Sequence, residues 1–510
     1  MADAGGRDTG RAMLAGVAAT ALGAGLGELA AALLAPSSGP VSVIGSALID
    51  VAPPWAKDTA IALFGTADKV ALVTGIAIAL LAVAAGAGVL EARRAPWGRG
   101  VLLALGGAGV LAAVTRADAG PLAAVPSIIA GGVAAIVLTQ LAMRLRPGVD
   151  GAERAAAAED RRRFLAWTAV SIAVGALAAA GSQVARTTAR TVDAVRSAVR
   201  LPRPTATASV PAGADLGLDG LAPLITPNGA FYRIDTAIIV PQVDPADWSL
   251  RIHGMVEEEV VLSWEDVLAL PLAESTTTLA CVSNEVGGDL IGNAVWLGYP
   301  IRELLARARP TADADMVLSR SIDGFTASTP LQALTDERDA ILAVGMNGEP
   351  LPVEHGFPAR LVVPGLYGYV SATKWVTELE VTRFDRARAY WTDRGWSERG
   401  PIKLQSRIDV PRRSAPAGQA VIAGVAWQQH VGVAGVEVQI DDGPWRPATL
   451  APAISDDTWV QWSLPWTADA GSHRLRCRAT SRTGEVQTDQ EAPPAPDGAT
   501  GWHTVDVTVS

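Results

Sequence analysis

The residue with the clearest potential for chemistry in this chain of 510 residues is Cys281, in the segment TTTLACVSNEVGGDLIGNAVW at 276–296. The β-branched residues before it predict a strand, and the glycines and asparagine after it predict a loop. A thiolate where a strand passes into a loop can offer its sulfur to a bound transition metal. The residue type alone favours a simpler interpretation, a small buried hydrophobic side chain.

Zinc and iron–sulfur centres are not predicted around Cys281. The chain has two cysteines, Cys281 and Cys477, and five histidines scattered after residue 250. Such centres need several cysteine or histidine ligands at close spacing. One protein sulfur would therefore serve only a metal whose other ligands come from an organic cofactor. A disulfide between the two cysteines is not expected, because it would remove that ligand.

A second group of polar residues lies in MNGEPLPVEHGFPARLVVPGLYGYVSATKWV at 346–376. Arg360 offers a planar fork of donors and Lys374 a point charge, and both suit a phosphate group. His355 in EHGFPAR is, on its own, equally well explained as a turn residue. The glycines of this segment allow backbone amides to approach a ligand closely, although ordinary turns also use them.

Together these segments resemble the sulfite oxidase family of molybdenum enzymes, in which one cysteine binds molybdenum and a pterin dithiolene supplies the other sulfurs. The resemblance covers about residues 220–490 and rests on the order and spacing of NG, HG-x-P-x-R, PG and KW after the cysteine segment. It implies that Cys281 is the metal ligand and that Mo-molybdopterin is the cofactor. It also implies that His355, Arg360 and Lys374 contact the pterin phosphate or its surroundings.

The segment ITPNGAFYRID at 225–235 is similar to the family's early cofactor-binding stretch. The resemblance implies a catalytic set of Cys281, Tyr232 and Arg233, in which Tyr232 and Arg233 border the substrate. The cofactor-binding set that it implies is Asn228, Tyr232, Arg233, Ser321, His355, Arg360, Thr373 and Lys374.

Two departures from the family pattern bear on the substrate. Sulfite oxidases carry C-x-x-N-Arg, whereas Cys281 and Asn284 are followed here by Glu285. An acid at this position would repel a sulfite dianion. Phe325 stands where those enzymes place an active-site tyrosine, which removes a hydroxyl donor. The direction of reaction stays open: oxidation of a small sulfur compound, or reduction of an S- or N-oxide.

The elements that must position these residues are predicted from short alternating runs. Strand-like runs occur at 248–254, 259–264, 360–364 and 375–381, and a helical pattern at 300–308. We therefore predict an α+β domain over 220–408.

The pattern of predicted secondary structure changes at residue 409. Short strands with regularly spaced turns predict an immunoglobulin-like β-sandwich over 409–510. This part resembles the domain through which sulfite oxidases dimerise, which implies a possible homodimer. Cys477 is expected to be a buried strand residue.

The first third of the chain is mostly Ala, Leu, Val and Gly, which raises the hydrophobic content to 49% and leaves 18% charged residues. Five runs are long enough to span a bilayer. They cover about 12–35, 68–91, 98–116, 121–144 and 164–182, within a transmembrane domain predicted at 1–186. The apolar run 41–52 is too short and is predicted as an outer loop, with a re-entrant segment as the alternative. Residues 187–219 are predicted as a juxtamembrane helix and linker.

The distribution of arginines predicts the orientation of these spans. Arg93, Arg94 and Arg99 separate the second and third spans, and Arg161–Arg163 precede the fifth. The positive-inside rule then places the N-terminus in the cytoplasm and the catalytic domain outside the cell membrane. Glu28 is the exceptional acid in a span, for which a helix-packing role is favoured over a functional one.

Composition also limits the partners. The spans contain no histidine, so no haem is expected in them, and electrons must pass to a separate quinone-linked or cytochrome partner. The net charge of −10 argues against binding of nucleic acid.

The segment Asp160–Leu165 reads DRRRFL, directly before the fifth span. Its arginines satisfy the positive-inside rule, and R-R-x-F-L is also the core of a twin-arginine export signal. A domain that receives molybdopterin in the cytoplasm and works outside must cross the membrane folded, and this favours the export signal.

The sequence thus predicts a multi-domain protein with a five-helix transmembrane domain, an α+β sulfite-oxidase-type molybdopterin domain and an immunoglobulin-like β-sandwich. The predicted function is that of a membrane-anchored molybdopterin-dependent oxidoreductase that moves an oxygen atom to or from a small substrate. The alternative is a cofactor-free, membrane-anchored binding or adhesion protein on the same scaffold.

Overall fold

The computed structural model describes residues 2–51, 68–116, 119–145, 153–188, 191–237 and 239–510. The chain divides into two compact units. The first comprises Met1–Thr191 with Ala237–Pro241, and the second comprises Val192–Thr236 with Gln242–Ser510.

The first unit is helical. Its described helices are α1 (Ala2–Leu34), α2 (Pro40–Val51), α3 (Asp68–Arg94), α4 (Trp97–Val114), α5 (Val125–Met143) and α6 (Glu153–Thr188). Five of them contain a segment long and apolar enough to cross a membrane: Thr9–Leu34, Thr74–Arg94, Trp97–Val114, Val125–Met143 and Arg162–Ser182. Five described helices that could span a membrane thus lie close to the predicted runs, while insertion and orientation stay predictions.

Glycines allow these helices to approach one another closely. A Cβ atom added to Gly16 in α1 would lie 1.9 Å from the carbonyl oxygen of Ala84 in α3. A Cβ atom added to Gly25 would lie 2.1 Å from the carbonyl oxygen of Gly175 in α6. Small residues at helix contacts are typical of packing in membranes, where close backbone approach replaces the hydrophobic effect.

Helix α2 covers the run 41–52 up to Val51, and residue 52 lies outside the described residues. This helix is not among the segments long enough to cross a membrane, and its placement in an outer or re-entrant loop stays a prediction. Pro40 begins the helix, a position where its missing N–H costs nothing. The Glu28 carboxylate accepts a hydrogen bond of 3.0 Å from the N–H of Val41. A run too short to span a membrane can thus still form a helix, and Glu28 has a packing role as its cap.

Helix α7 (Thr191–Ala198) contains the first residues of the second unit, which continues as an α+β region with two sheets. One sheet has the order β2-β1-β10-β5-β6, and the other has β3-β4-β7-β8 with β9 paired to β7. Strand β1 is parallel to β10, with Arg251 opposite Glu378. The strands are β1 (Ser249–Gly254), β2 (Val260–Ser263), β3 (Ala273–Ala280), β4 (Ile291–Pro300), β5 (Met316–Ser321), β6 (Thr326–Pro330), β7 (Ile341–Met346), β8 (Glu349–Pro350), β9 (Arg360–Val362) and β10 (Val376–Thr382).

Four short helices connect these strands: α8 (Trp264–Leu268), α9 (Ile301–Ala308), α10 (Leu331–Thr335) and α11 (Gly368–Ser371). Ser263 and Asp266 form a reciprocal capping box at the start of α8, which matches the sequence SWED. The four strand-like runs and the helix predicted at 300–308 are confirmed by β1, β2, β9, β10 and α9.

The rest of the unit is β-rich and forms two further sheets, ordered β11-β13-β17-β16 and β12-β19-β18-β14-β15. Their strands are β11 (Gln405–Val410), β12 (Ser414–Ala415), β13 (Gly418–Trp427), β14 (Val433–Ile440), β15 (Arg446–Pro447), β16 (Thr449–Leu450), β17 (Val460–Ala468), β18 (Gly471–Ser481) and β19 (His503–Val509). Cys477, Trp462 and Leu475 are fully buried in the core of this region. The buried strand position of Cys477 is confirmed, and the immunoglobulin-like topology stays a prediction.

Candidate active site

Cys281 directly follows strand β3, which its run of threonines favours because β-branched side chains suit a pleated sheet. The N–H of Cys281 donates to the carbonyl of Leu290 at 2.9 Å, and the side chain of Asn284 accepts from the N–H of Leu290 at 2.8 Å. These bonds close residues 281–290 into a loop, here called the cysteine loop. Burial raises the pKa of the Cys281 thiol, and hydrogen bonds from Ser283 oppose that rise.

Tyr232 lies beside Cys281. A Cβ atom added to Gly368 would lie 3.9 Å from the Tyr232 hydroxyl and 3.8 Å from the carbonyl oxygen of Ala280, the last residue of β3. Burial raises the pKa of Tyr232, the nearby Cys281 raises it further, and Arg360 lowers it. The phenol therefore keeps its proton and can donate a hydrogen bond to a bound oxygen atom.

Arg360, the first residue of β9, is 5% exposed. Its guanidinium donates to the carbonyl oxygens of His355 (3.1 Å) and Ala372 (3.4 Å) and stacks over the Trp296 ring at 5.1 Å. Within the described part of the chain it forms no ion pair with a carboxylate. Burial lowers its pKa to about 10, so that it stays charged at neutral pH. A buried guanidinium that has only neutral partners is suited to receive an anion.

His355 and Asn228 lie side by side. The Nε2 atom of His355 is 3.1 Å from the backbone carbonyl oxygen of Asn228, and the imidazole meets the Phe231 ring edge-on at 5.6 Å. Burial, reinforced by the charge of Arg360, lowers the pKa of His355 to about 4. His355 is therefore neutral at physiological pH. The amide oxygen of Asn228 accepts from Asn347 at 2.7 Å, which fixes the orientation of that side chain.

Lys374 and Arg233 share one carboxylate, that of Asp235. The Lys374 Nζ atom donates to Asp235 at 2.7 Å and to the carbonyl of Glu354 at 3.0 Å, while Arg233 Nε donates to Asp235 at 2.9 Å. Burial lowers the pKa of Lys374 to about 8, and Asp235 limits that fall. The structure thus brings both predicted cations together, and it adds an acid that the sequence analysis missed.

Ser321 and Thr373 differ in whether their hydroxyl groups have a hydrogen-bond partner. The Ser321 hydroxyl is buried and has no hydrogen-bond partner among the described residues. The Thr373 hydroxyl lies 2.7 Å from that of Ser319 and is therefore already engaged. A buried polar group without a partner is rare in a native fold, and a bound ligand is one way to satisfy it.

Three groups of the site fit an anionic, metal-bearing cofactor. They are the thiol of Cys281, the guanidinium of Arg360 and the hydroxyl of Ser321. Each supplies what such a group needs: a soft ligand, a positive charge and a neutral donor. Nothing at the described site requires the cofactor-free alternative.

Tyr367 was not among the predicted site residues. It is buried, and this burial raises its pKa to about 12, helped by Cys281 nearby. Tyr367 lies in the segment PGLYGY. That sequence pattern does not distinguish a tyrosine near Cys281 from a tyrosine in the hydrophobic core. The two departures from the family pattern have different surroundings: Glu285 is exposed on the cysteine loop, and the Phe325 ring packs 5.8 Å from that of Tyr390.

Comparison with known proteins gives a family match over the α+β region. The family described as oxidoreductase molybdopterin binding domain matches residues 237–391. The Bacillus subtilis oxidoreductase YuiH is 35% identical over 171 residues, which cover 34% of this chain and 83% of that protein.

Human mitochondrial sulfite oxidase is 29% identical over 340 residues, which cover 56% of this chain and 62% of the human protein. The match thus spans less than two thirds of the human protein. Among solved structures, the sulfane dehydrogenase SoxCD from Paracoccus pantotrophus matches with a TM-score of 0.49 and 26% identity, over 59% of this chain and 88% of that one.

Proposed function

Because the chain belongs to the sulfite oxidase family of molybdopterin-dependent oxidoreductases, we propose that it transfers an oxygen atom to or from a small sulfur compound or an S- or N-oxide. The observation that carries the proposal is the convergence of the Cys281 thiol, the Tyr232 hydroxyl and the buried Arg360 guanidinium. Tyr232 lies near enough to both Cys281 and Arg360 for each of them to shift its pKa.

Each of these residues has a distinct part in the proposal. Cys281 would hold molybdenum as a thiolate, having lost its proton. The cofactor, when bound, supplies the two-electron oxygen-atom chemistry, and the protein supplies binding, orientation and electrostatics. Tyr232 donates a hydrogen bond to the substrate oxygen, because its phenol keeps its proton. Arg360, Lys374 and the unpaired hydroxyl of Ser321 hold the anionic part of the pterin.

The charges around the site favour an uncharged substrate over sulfite. Arg233 and Lys374 share the single negative charge of Asp235, and Glu285 stands on the cysteine loop where the family carries arginine. A doubly charged anion would then meet an acid on the cysteine loop instead of a cation. The name of the human relative, sulfite oxidase, supports a sulfur compound as the substrate. The charges around the site favour uncharged sulfur compounds, such as sulfoxides.

The helical unit would anchor the enzyme in the cell membrane with its catalytic domain outside. Electrons would pass to or from a separate quinone-linked or cytochrome partner, and the β-rich region is a candidate for homodimer contacts. We further propose that DRRRFL at 160–165 directs export by the twin-arginine route. The structure also gives Phe164 a packing role, since its ring is buried among α1, α4 and α5. The side chain of Arg161 lies outside the described residues.

A substrate screen tests the proposed reaction. Purified full-length protein, assayed for molybdenum, would be offered sulfite, dimethyl sulfoxide, methionine sulfoxide and trimethylamine N-oxide with artificial electron donors and acceptors. We expect about one molybdenum per chain and turnover of an uncharged substrate at a kcat/KM well above that for sulfite. Folded protein that contains no molybdenum, or that prefers sulfite, would overturn the corresponding part of the proposal.

A further inference from the structure

The cysteine loop is held by residues from the β-rich region of the same unit. Arg407 in β11 donates a hydrogen bond of 2.7 Å to the carbonyl oxygen of Gly288. The same guanidinium pairs at 2.7 Å with Asp409, and both side chains are almost completely buried. Because the carboxylate fixes the plane of the guanidinium, Arg407 presents its Nη1 atom to the loop in one orientation.

His503 contacts the same loop at the preceding residue, Gly287. The Gly287 backbone has a φ of +77°, and a Cβ atom at this position would lie 2.2 Å from the His503 ring. The ring itself is fixed, since its Nδ1 atom accepts a hydrogen bond of 2.9 Å from the N–H of Ile408. The absence of a side chain at Gly287 therefore allows the imidazole to lie directly against the loop backbone.

The strand that leads to Cys281 is held from the same region. Thr278 donates its N–H to the carbonyl of Asp457 at 3.0 Å, and its hydroxyl accepts from the N–H of Trp459 at 2.8 Å. Its carbonyl accepts from the side chain of Gln429 at 3.0 Å. All three polar groups of Thr278 thus bond to residues of the β-rich region, three positions before the cysteine.

We infer that Arg407 and His503 are positioning residues for the reaction, which they influence by fixing the cysteine loop beside the metal ligand. They do not contact Cys281 themselves. Their partners, Gly287 and Gly288, lie on the loop that carries Glu285 and returns to Cys281 through the bond to Leu290. A shift of this loop would move one wall of the substrate site while the sheet under β3 stays in place.

This inference rests on the proposed function, because it assigns the cysteine loop to the substrate site. It differs from a purely stabilising role in one measurable way. A stabilising contact affects the melting temperature of the unit, whereas a positioning contact changes the dynamics of one loop and the KM of the reaction.

Arg407→Lys in the full-length, molybdenum-loaded protein is the direct test. Lysine keeps the charge beside Asp409, but its single ammonium group cannot reproduce the planar contact with both Asp409 and Gly288. Hydrogen exchange of loop amides at 282–290 is expected to accelerate about tenfold, as for the loss of one charge-assisted hydrogen bond. We expect the KM to rise more than kcat falls, and the molybdenum content to stay unchanged.

Arg412→Lys is the matched control. Arg412 also contacts Asp409, at 3.5 Å, but its side chain is 67% exposed and makes no contact with the cysteine loop among the described residues. The Arg412→Lys variant should have the same hydrogen-exchange rates in the cysteine loop and the same KM as the parent protein.

Gly287→Ala is the second variant, because it forces the loop away from His503 without touching Arg407. Faster exchange confined to the loop, with a raised KM, is expected again. The inference is overturned if the loop exchange of both variants matches that of the parent, or if exchange rises equally throughout the unit. Loss of turnover on all substrates, with the loop exchange pattern intact, would count against the proposed function instead.

Discussion

The ammonium group of Lys374 lies 2.7 Å from the carboxylate of Asp235, and both side chains are more than nine-tenths buried. Removing one partner of a buried ion pair leaves an uncompensated charge and costs more than the pair contributes. We expect Asp235→Asn to destabilise the folded protein by about 3–5 kcal/mol. A fall of several degrees in the thermal midpoint, followed by tryptophan fluorescence of the full chain, would report it.

Glu259→Gln gives the control for this substitution. Glu259 pairs with Arg251 at the surface, where both side chains are about half exposed. Exposed pairs contribute little, so the midpoint should stay within about one degree of the parent. Equal shifts in the thermal midpoint of the two variants would mean that the buried Lys374–Asp235 pair contributes no more to stability than an exposed pair.

Cys281→Ser tests the metal ligand. The variant keeps the size of the side chain but loses the soft thiolate, so we expect molybdenum content to fall sharply and turnover to fall more than about 100-fold. Cys477→Ala is the comparison, since Cys477 is equally buried but lies in the core of the β-rich region. Molybdenum measured by elemental analysis should persist in that variant. Retention of metal and turnover by Cys281→Ser would remove Cys281 from its proposed role.

Acid should destabilise the protein through two buried histidines. Burial lowers the pKa of both His355 and His503 to about 4, below the ordinary value of about 6.5. Between these values the unfolded chain binds more protons than the folded one, so stability falls as pH drops from about 6.5 to about 4. Each histidine contributes on the order of 1–3 kcal/mol over this window. Thermal midpoints measured from pH 7.5 to 4.5 check the prediction.

His503→Asn keeps an acceptor near the Ile408 N–H but cannot be protonated, so its midpoint should fall less steeply in acid. His473→Asn should not flatten the acid fall, because a hydrogen bond to Asp441 raises the pKa of His473. A pH profile of His503→Asn parallel to that of the parent would contradict the assignment.

The export proposal predicts a defect in topology for Arg161→Lys combined with Arg162→Lys. Lysine preserves the positive charge that orients the helix but not the arginine pair of the signal. We expect the catalytic domain of this variant to stay in the cytoplasm, protected from protease added to intact spheroplasts, while the preceding helices still insert. Arg93→Lys with Arg94→Lys serves as the control and should export normally. Normal export of both double variants would leave the arginines at 161–163 as simple orienting charges.

The sequence predicted those features that depend on local pattern. Apolar runs marked five segments able to span a membrane, and alternation marked strands β1, β2, β9 and β10. Residue types placed in a family motif pointed to Cys281, Arg360 and Lys374, which the structure brings to one region. The contacts of Asp235 were beyond such reasoning, because its partner Lys374 lies far along the chain and an acid at this position carries no local signal.

The same limit applies to helix α2 and to the contacts of Arg407 and His503. The start of α2 depends on Glu28, which lies in a different helix. The close approach of His503 to Gly287 depends on the pairing of strand β19 with β18 and β12. A glycine-rich loop has the same sequence pattern whether or not a ring packs against it. Both the start of α2 and the contacts of the cysteine loop therefore depend on residues that are far apart in sequence.

The attachment of the cysteine loop also sets an order of events during synthesis. Gly287 and Gly288 leave the ribosome long before Arg407, and His503 follows later still. Until then the loop lacks the groups that hold it, so the nascent chain passes through a stage in which Cys281 is more accessible than in the finished protein. Loading of a bulky cofactor would be easiest in that interval, and completion of strand β19 would then close the loop behind it.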